Sequence, residues 1–324
     1  MTSRQTVRLF SWGFVFLCLV ALLAGWWQRY AVYDWWRLRS YTPNAQITKL
    51  ADETTMYGSS RRMFYANQPV IEPQASFNTH CTDSEETIVL GCYIRTKGIY
   101  LFDVKDERLQ GIMQVTAAHE MLHAGYDRLS SGERKRVNTL LEQAYAKITN
   151  QRIRSTIDQY RANGADVPNE MHSILGTEVR DLPPELEDYY KRYFTDRLQV
   201  VGFSEKYEKE FSVRQEKVNA YDAQLADLKK QIDSSNGALN TKIETINSEY
   251  ERLQQLRSSG QVSAFNAGVS PYNQLVSSYN AEVKQAQDLI NRFNTLVAER
   301  NAISVEENEL IKAIDSRPNT IDTQ

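Results

Sequence analysis

The sequence has no excess of either charge and few histidines or cysteines, and each shortage excludes a class of protein. Its 38 Lys and Arg residues nearly balance its 41 Asp and Glu residues, so nothing electrostatic favours nucleic acid as a partner. Three cysteines are too few for a closed zinc site of four cysteines. Only four histidines are present, so any close spacing between two of them is informative.

Two of these histidines lie one helical turn apart. His119, Glu120 and His123 form the pattern H-E-x-x-H, which arises by chance in on the order of four in a thousand chains of this composition. Residues i and i+4 share a helix face, so both imidazoles can bind one ion while Glu120 is turned toward a metal-bound water. The flanking residues are mostly apolar, and a buried His-Glu-His cluster without a metal would leave costly unpaired polar groups. The pattern therefore predicts a Zn²⁺ site with His119 and His123 as ligands.

A catalytic zinc normally has three protein ligands and one position for water, so a third ligand is needed. The longer motif with a third histidine is excluded, because Tyr126 and Leu129 stand where its glycine and histidine would be. The remaining candidates are Glu170, His172 and Glu178.

We predict Glu178 as the third ligand. If this segment is helical, Glu178 projects from the apolar face, where a carboxylate needs a metal or another cation to neutralise it. Glu170 follows Pro168 and Asn169, and an acidic residue at a helix start has an ordinary stabilising explanation.

With this ligand set, residues 85–200 resemble a gluzincin, the class of zinc metallopeptidases with H-E-x-x-H on one helix and a glutamate ligand on a later one. The resemblance implies an α+β zincin-like domain with Glu120 as the general base. It also implies a strand that binds an extended peptide, here 99–104. A further donor would stabilise the oxyanion, and we take His172 and Tyr190 as catalytic candidates, with Tyr189 and Tyr193 as alternatives.

Residues 9–27 contain no charge and are long enough to cross a bilayer as one helix. A cleaved signal peptide is the alternative, but Leu22 occupies the −3 position for cleavage after Ala24. Tryptophans and tyrosines at 26, 27, 30, 35 and 36 are typical of the membrane–water interface. We therefore predict an uncleaved single-pass anchor in the cell membrane.

Cysteine placement indicates on which side of the membrane the bulk of the chain lies. Cys18 falls within the predicted span, which leaves Cys81 and Cys92 as the only pair, separated by a short loop. A disulfide on a hairpin is expected here, with two free thiols on a strand as the alternative. The disulfide favours an extracytoplasmic location.

The chain beyond Phe211 has no Cys, Trp or His and follows an almost unbroken 3-4 apolar spacing, interrupted at 258–271. This pattern predicts two long helices in an antiparallel hairpin or coiled coil, packed through their apolar stripes. Dimerisation through the same apolar stripes is the alternative. Overall we expect a mainly α protein with a small β-sheet. Its predicted segments are a tail (1–8), the anchor (9–27), a zincin-like domain (28–205), the hairpin (206–316) and a second tail (317–324).

These features predict a membrane-anchored zinc endopeptidase. Its partners would be a protein or peptide substrate, the lipid bilayer through one N-terminal helix, and a protein bound to the coiled coil. The alternative is a non-catalytic envelope scaffold in which the coiled coil is the working part and the metal is structural. Glu120 favours the enzyme, since a structural site needs no base beside an open coordination position.

Overall fold

A computed structural model describes residues 28–81 and 88–317 of the chain. The chain divides into two compact units. Among the described residues, the first unit runs up to Glu210 and resumes at Ile311, and the hairpin unit comprises Phe211–Leu310. The expectation of a mainly helical protein with a small sheet is confirmed.

The first unit begins with three helices and a short strand, followed by a fourth helix and two more strands. They are α1 (Arg29–Leu38), α2 (Ala45–Glu53), α3 (Gly58–Ala66), β1 (Val70–Glu72), α4 (Gln74–His80), β2 (Gly91–Ile94) and β3 (Gly98–Phe102). A 3-10 turn, Glu107–Leu109, leads into the later helices. These are α5 (Ile112–Asp127), α6 (Ser131–Tyr145), α7 (Gln151–Ala162), α8 (Val167–Glu178), α9 (Pro184–Tyr190), α10 (Arg197–Ser258) and α11 (Val262–Ile314).

The three strands form one sheet in the order β1-β3-β2. β1 runs parallel to β3, and β2 pairs with β3 in the antiparallel sense, with Cys92 opposite Tyr100. Cys81, which follows α4, forms a disulfide with Cys92, as the sequence predicted. β2 is therefore held from two sides, by the sheet ladder and by the covalent link to α4.

Helix α5 contains the H-E-x-x-H motif and is buried on almost every side. It starts after Gly111, whose φ of +108° suits glycine. A Cβ on Gly111 would also lie 2.8 Å from the backbone oxygen of Phe203, so only glycine fits there. The core around α5 includes Met121, Leu122 and Leu175, all without exposed surface.

The other helix boundaries follow ordinary capping rules. The Ser130 hydroxyl accepts a hydrogen bond from the Glu133 N–H, and the Glu133 carboxylate accepts one from the Ser130 N–H, which forms a capping box at the start of α6. The side chains of Asn150 and Asp166 accept backbone N–H bonds and so cap the starts of α7 and α8. Further along the chain, α9 ends at Tyr190 and α10 begins at Arg197.

In the hairpin unit, the two long helices contact each other along their length within one chain. Asp222 pairs with Arg300 near one end, and Lys242 pairs with Glu282 further along. The turn at 259–261 contains Gly260, with a φ of +77°. The interruption expected at 258–271 is thus much shorter, and Pro271 lies inside α11.

The predicted membrane span, 9–27, lies outside the described residues. Within the ranges given above, no helix combines the length and the apolar character needed to cross a membrane.

Candidate metal centre

The packing of α8 against α5 builds the site. His119 and His123 stand one turn apart on α5, with ring centroids 4.7 Å apart. The first turn of α8 places Glu170 beside both rings. Its Oε2 atom lies 3.8 Å from Nε2 of His119 and 3.7 Å from Nε2 of His123. One ligand atom from each of the three residues falls within 4.8 Å of the other two.

These distances fit the donor set of a catalytic zinc. Tetrahedral Zn²⁺ with bonds of about 2.0–2.1 Å holds its ligand atoms about 3.3 Å apart, so each of the two Glu170–histidine distances is within about 0.5 Å of that separation. The three side chains are 11–19% exposed, so the group is mostly buried but accessible from solvent. Two imidazoles and one carboxylate are the donors that zinc takes in hydrolases.

Neighbouring groups hold the ligands in place. Nδ1 of His123 lies 3.0 Å from Oδ1 of Asn169, a contact that directs Nε2 toward Glu170. Burial raises the pKa of Glu170, but the nearby His123 and His119 outweigh it, so this pKa lies below its ordinary value. Glu170 is therefore an ionised ligand candidate.

Glu120 lies beside this group and is 5% exposed. Strand β2 passes directly over it: a Cβ on Gly91 would come within 3.0 Å of both Cγ and Oε1 of Glu120, and 2.6 Å from Cγ2 of Thr116. Only a glycine allows the strand backbone to approach the carboxylate this closely. Glu120 and the three ligand candidates line one cavity of about 500 Å³, which also borders β2.

Glu178, the predicted third ligand, does not join this group. It is the last residue of α8 and forms an ion pair of 2.6 Å with Arg152, which also contacts Glu208. Glu178 does have the expected surroundings, because its side chain is only 11% exposed and a cation neutralises it. The cation is a guanidinium, however, and Glu170 takes the place beside the two histidines.

The two further catalytic candidates lie in the core. His172 and Tyr190 have no exposed surface, and among the described residues that line the cavity neither is found. Nε2 of His172 lies 2.8 Å from the Tyr189 hydroxyl, and the Tyr190 hydroxyl donates to the His172 backbone oxygen at 2.7 Å. Burial lowers the pKa of His172 to about 3, so its ring is neutral. Both side chains therefore lie in the core and outside the cavity, and Tyr189 and Tyr193 are linked to the same cluster.

Sequence reasoning missed three residues of this site. Asn169 contacts the ligand candidate His123, and Arg152 neutralises Glu178. Gly91 lacks a side chain and so lets the backbone of β2 lie close to Glu120. The position of Asn169 directly before Glu170 was the one available signal, and it was interpreted as a helix start.

The chain matches no protein-family model, no curated protein and no solved structure. Its function must therefore be inferred from the site itself.

Proposed function

We propose that the protein is a zinc-dependent peptidase, anchored to the cell membrane, that hydrolyses extracytoplasmic proteins or peptides. One observation carries the proposal: His119, His123 and Glu170 converge in a cavity that Glu120 also lines. Three ligand candidates leave a position for water, and Glu120 supplies a base that a purely structural site does not need.

The chemistry divides between the metal and Glu120. A bound Zn²⁺ would lower the pKa of water and polarise the scissile carbonyl. Glu120 accepts the proton of the attacking water and then donates it to the leaving amine, so it is restored at the end of each cycle. The contact between Asn169 and His123 fixes the imidazole during this cycle.

The sheet indicates where an extended substrate binds. We expected the strand at 99–104 to bind it, but β3 lies between β1 and β2, so both of its edges are already paired. In the described sheet β2 is paired on one side only, and it borders the cavity. We therefore assign substrate pairing to the outer edge of β2, by addition of a peptide strand.

Two features support the proposed location. The Cys81–Cys92 disulfide is typical of proteins outside the cytoplasm. The uncharged run at 9–27 has the length of a spanning helix.

The test compares the full chain, purified in detergent, with its Glu120→Gln variant. We expect one zinc per chain in both proteins by elemental analysis, and hydrolysis of a mixed peptide library by the wild type alone. Loss of the base should lower kcat by about 100-fold or more. Glu244→Gln, a change at an exposed position of the hairpin unit, is the matched control and should behave as wild type.

Equal hydrolysis by wild type and Glu120→Gln would contradict the proposal. Zinc binding with no hydrolysis by either protein would favour the scaffold with a structural metal.

A further inference from the structure

Helix α1 exposes apolar side chains and buries an acidic one, the reverse of an ordinary surface helix. Its apolar side chains face outward: Val32 is 54% exposed, Trp35 59% and Trp36 63%. Its acidic residue faces inward, because Asp34 is only 4% exposed. A helix that served only to cover the first unit would bury the tryptophans and expose the aspartate.

The inward face is fixed by polar contacts. Both carboxylate oxygens of Asp34 accept hydrogen bonds from Arg128, at 2.7 and 2.8 Å. The Tyr30 hydroxyl donates to the backbone oxygen of Asp127, and Arg37 donates to the backbone oxygens of Ala66 and Lys97. Rotating α1 to bury its tryptophans would leave a buried ion pair without its partners, which is strongly unfavourable.

The outward face has the chemistry of a bilayer interface. Val32, Trp35, Trp36 and Arg39 follow the i, i+3, i+4, i+7 spacing, so they form one stripe. The Arg39 guanidinium lies 4.8 Å from the centroid of the Trp35 ring. Indole rings occupy the headgroup level of a membrane, and arginine extends its charge toward phosphates while its stem stays among apolar groups.

The preceding sequence identifies what covers this stripe. Residues 9–27 carry no charge and end two residues before α1 begins at Arg29. An apolar run of this length places its end at a bilayer surface, where lipid is the nearest apolar phase.

We infer that α1 lies lengthwise in the headgroup layer of an anionic bilayer, with Val32, Trp35 and Trp36 against the acyl chains and its polar face holding the first unit. The inference concerns a surface separate from the metal centre. It can be tested on Glu120→Gln protein, so its failure and that of the proposed peptidase are distinguishable.

The experiment uses the tryptophans themselves as reporters. The full chain has five, and replacing Trp12, Trp26 and Trp27 by Phe leaves only Trp35 and Trp36. This variant is reconstituted in phosphatidylcholine/phosphatidylglycerol vesicles, with and without bromine atoms at a shallow position of the acyl chains. Fluorescence is then titrated with acrylamide, a quencher that stays in water. We expect brominated lipid to remove at least half of the fluorescence and acrylamide to remove little.

A matched control carries all five Trp→Phe changes together with Val262→Trp, a position that is 65% exposed in the hairpin unit. Its fluorescence should respond to acrylamide and not to bromine. Circular dichroism and zinc content equal to wild type establish that both reporter variants are folded.

Three outcomes would overturn the inference. In the first, Trp35 and Trp36 respond to acrylamide as the control does, which shows that they face water. In the second, they are shielded from both quenchers, which shows that a protein surface or a second copy of the chain covers them. In the third, the control reporter is quenched by bromine as strongly as α1, which removes the specificity for this helix.

Discussion

The first unit and the hairpin unit bury their side chains in different ways. In the first unit, elements distant in sequence enclose one core, and α5 is covered on nearly all sides. In the hairpin unit, burial is confined to widely spaced apolar positions along two helices: Val218, Leu228, Ile246, Leu253, Ala286 and Leu310. A local repeat therefore specifies the hairpin, whereas long-range packing decides the environment of each side chain in the first unit.

The two glutamates on α8 show how long-range packing decides a side chain's environment in the first unit. Glu170 and Glu178 belong to one helix and are both mostly buried, yet one lies beside two histidines and the other beside an arginine. Their chemistry is set by what α5 and α7 bring to them. The first two predictions below concern long-range packing in the first unit, and the last two concern the contacts between the helices of the hairpin unit.

The largest effect is expected from exchanging the ligand candidates. Glu170→Gln should weaken zinc binding by about 1000-fold, about 4 kcal/mol, since one of three ligands loses its charge. Glu178→Gln should change zinc affinity by less than about tenfold, because Glu178 pairs with Arg152 and contacts none of the three ligand candidates, whereas groups that hold a ligand directly typically cost about 10–100-fold. Competition with a chelator of known affinity measures both variants, and a larger loss in Glu178→Gln would return the assignment to that residue.

Removal of the disulfide should destabilise the first unit alone. Cys81 and Cys92 are 11 positions apart, and closing a loop of this length stabilises the folded state by about 3 kcal/mol. In Cys81→Ala/Cys92→Ala protein, hydrogen exchange at the α5 amides should become faster, while exchange at 220–250 stays unchanged. Faster exchange in both regions would mean that the two units unfold together.

A substitution at a buried position between the two hairpin helices should destabilise the hairpin unit alone. Leu253 is 5% exposed in the hairpin unit, and Leu253→Ala should lower the free energy of unfolding of that unit by about 2 kcal/mol. Zinc affinity should not change. Exposed Tyr250, changed to Ala, is the control and should have a smaller effect on stability.

The smallest effect is expected at the ion pair between Lys242 of α10 and Glu282 of α11. The hydrogen bond to Lys242 favours the carboxylate of Glu282, so the pKa of Glu282 lies below its ordinary value of 4.5. A lowered pKa in the folded state adds stability above pH 4.5, and this contribution disappears as the pH falls through the lowered pKa. The small stability difference between wild type and Glu282→Gln, followed by thermal unfolding, should therefore vanish in acid. A difference that persists there would have another origin.

Features that depend on local sequence were predictable. The H-E-x-x-H spacing alone places two imidazoles on one face of α5, and the Ser130–Glu133 capping box marks the start of α6. The disulfide was predictable because Cys81 and Cys92 were the only pair remaining outside the apolar run. In each case the relevant residues lie within about a dozen positions of one another.

Features that depend on distant partners were not predictable. Choosing between Glu170 and Glu178 requires knowing that Arg152 lies beside the latter. His172 and Tyr190 have side chains common in active sites, but only the packed structure shows that both are fully enclosed. An apolar helix face predicts that a carboxylate on it is buried, but it does not predict which cationic group lies beside that carboxylate.

The attachment of α1 to the end of α5 has a consequence for the proposed peptidase. Arg128 follows His123 by five residues, about 8 Å along the helix axis, and α1 itself is about 10 Å thick. With α1 in the headgroup layer, the proposed metal site would lie no more than about 20 Å above the lipid. The membrane-proximal segment of a neighbouring membrane protein lies at this height whatever its fold. Proximity to the bilayer would then select substrates before any side-chain preference operates.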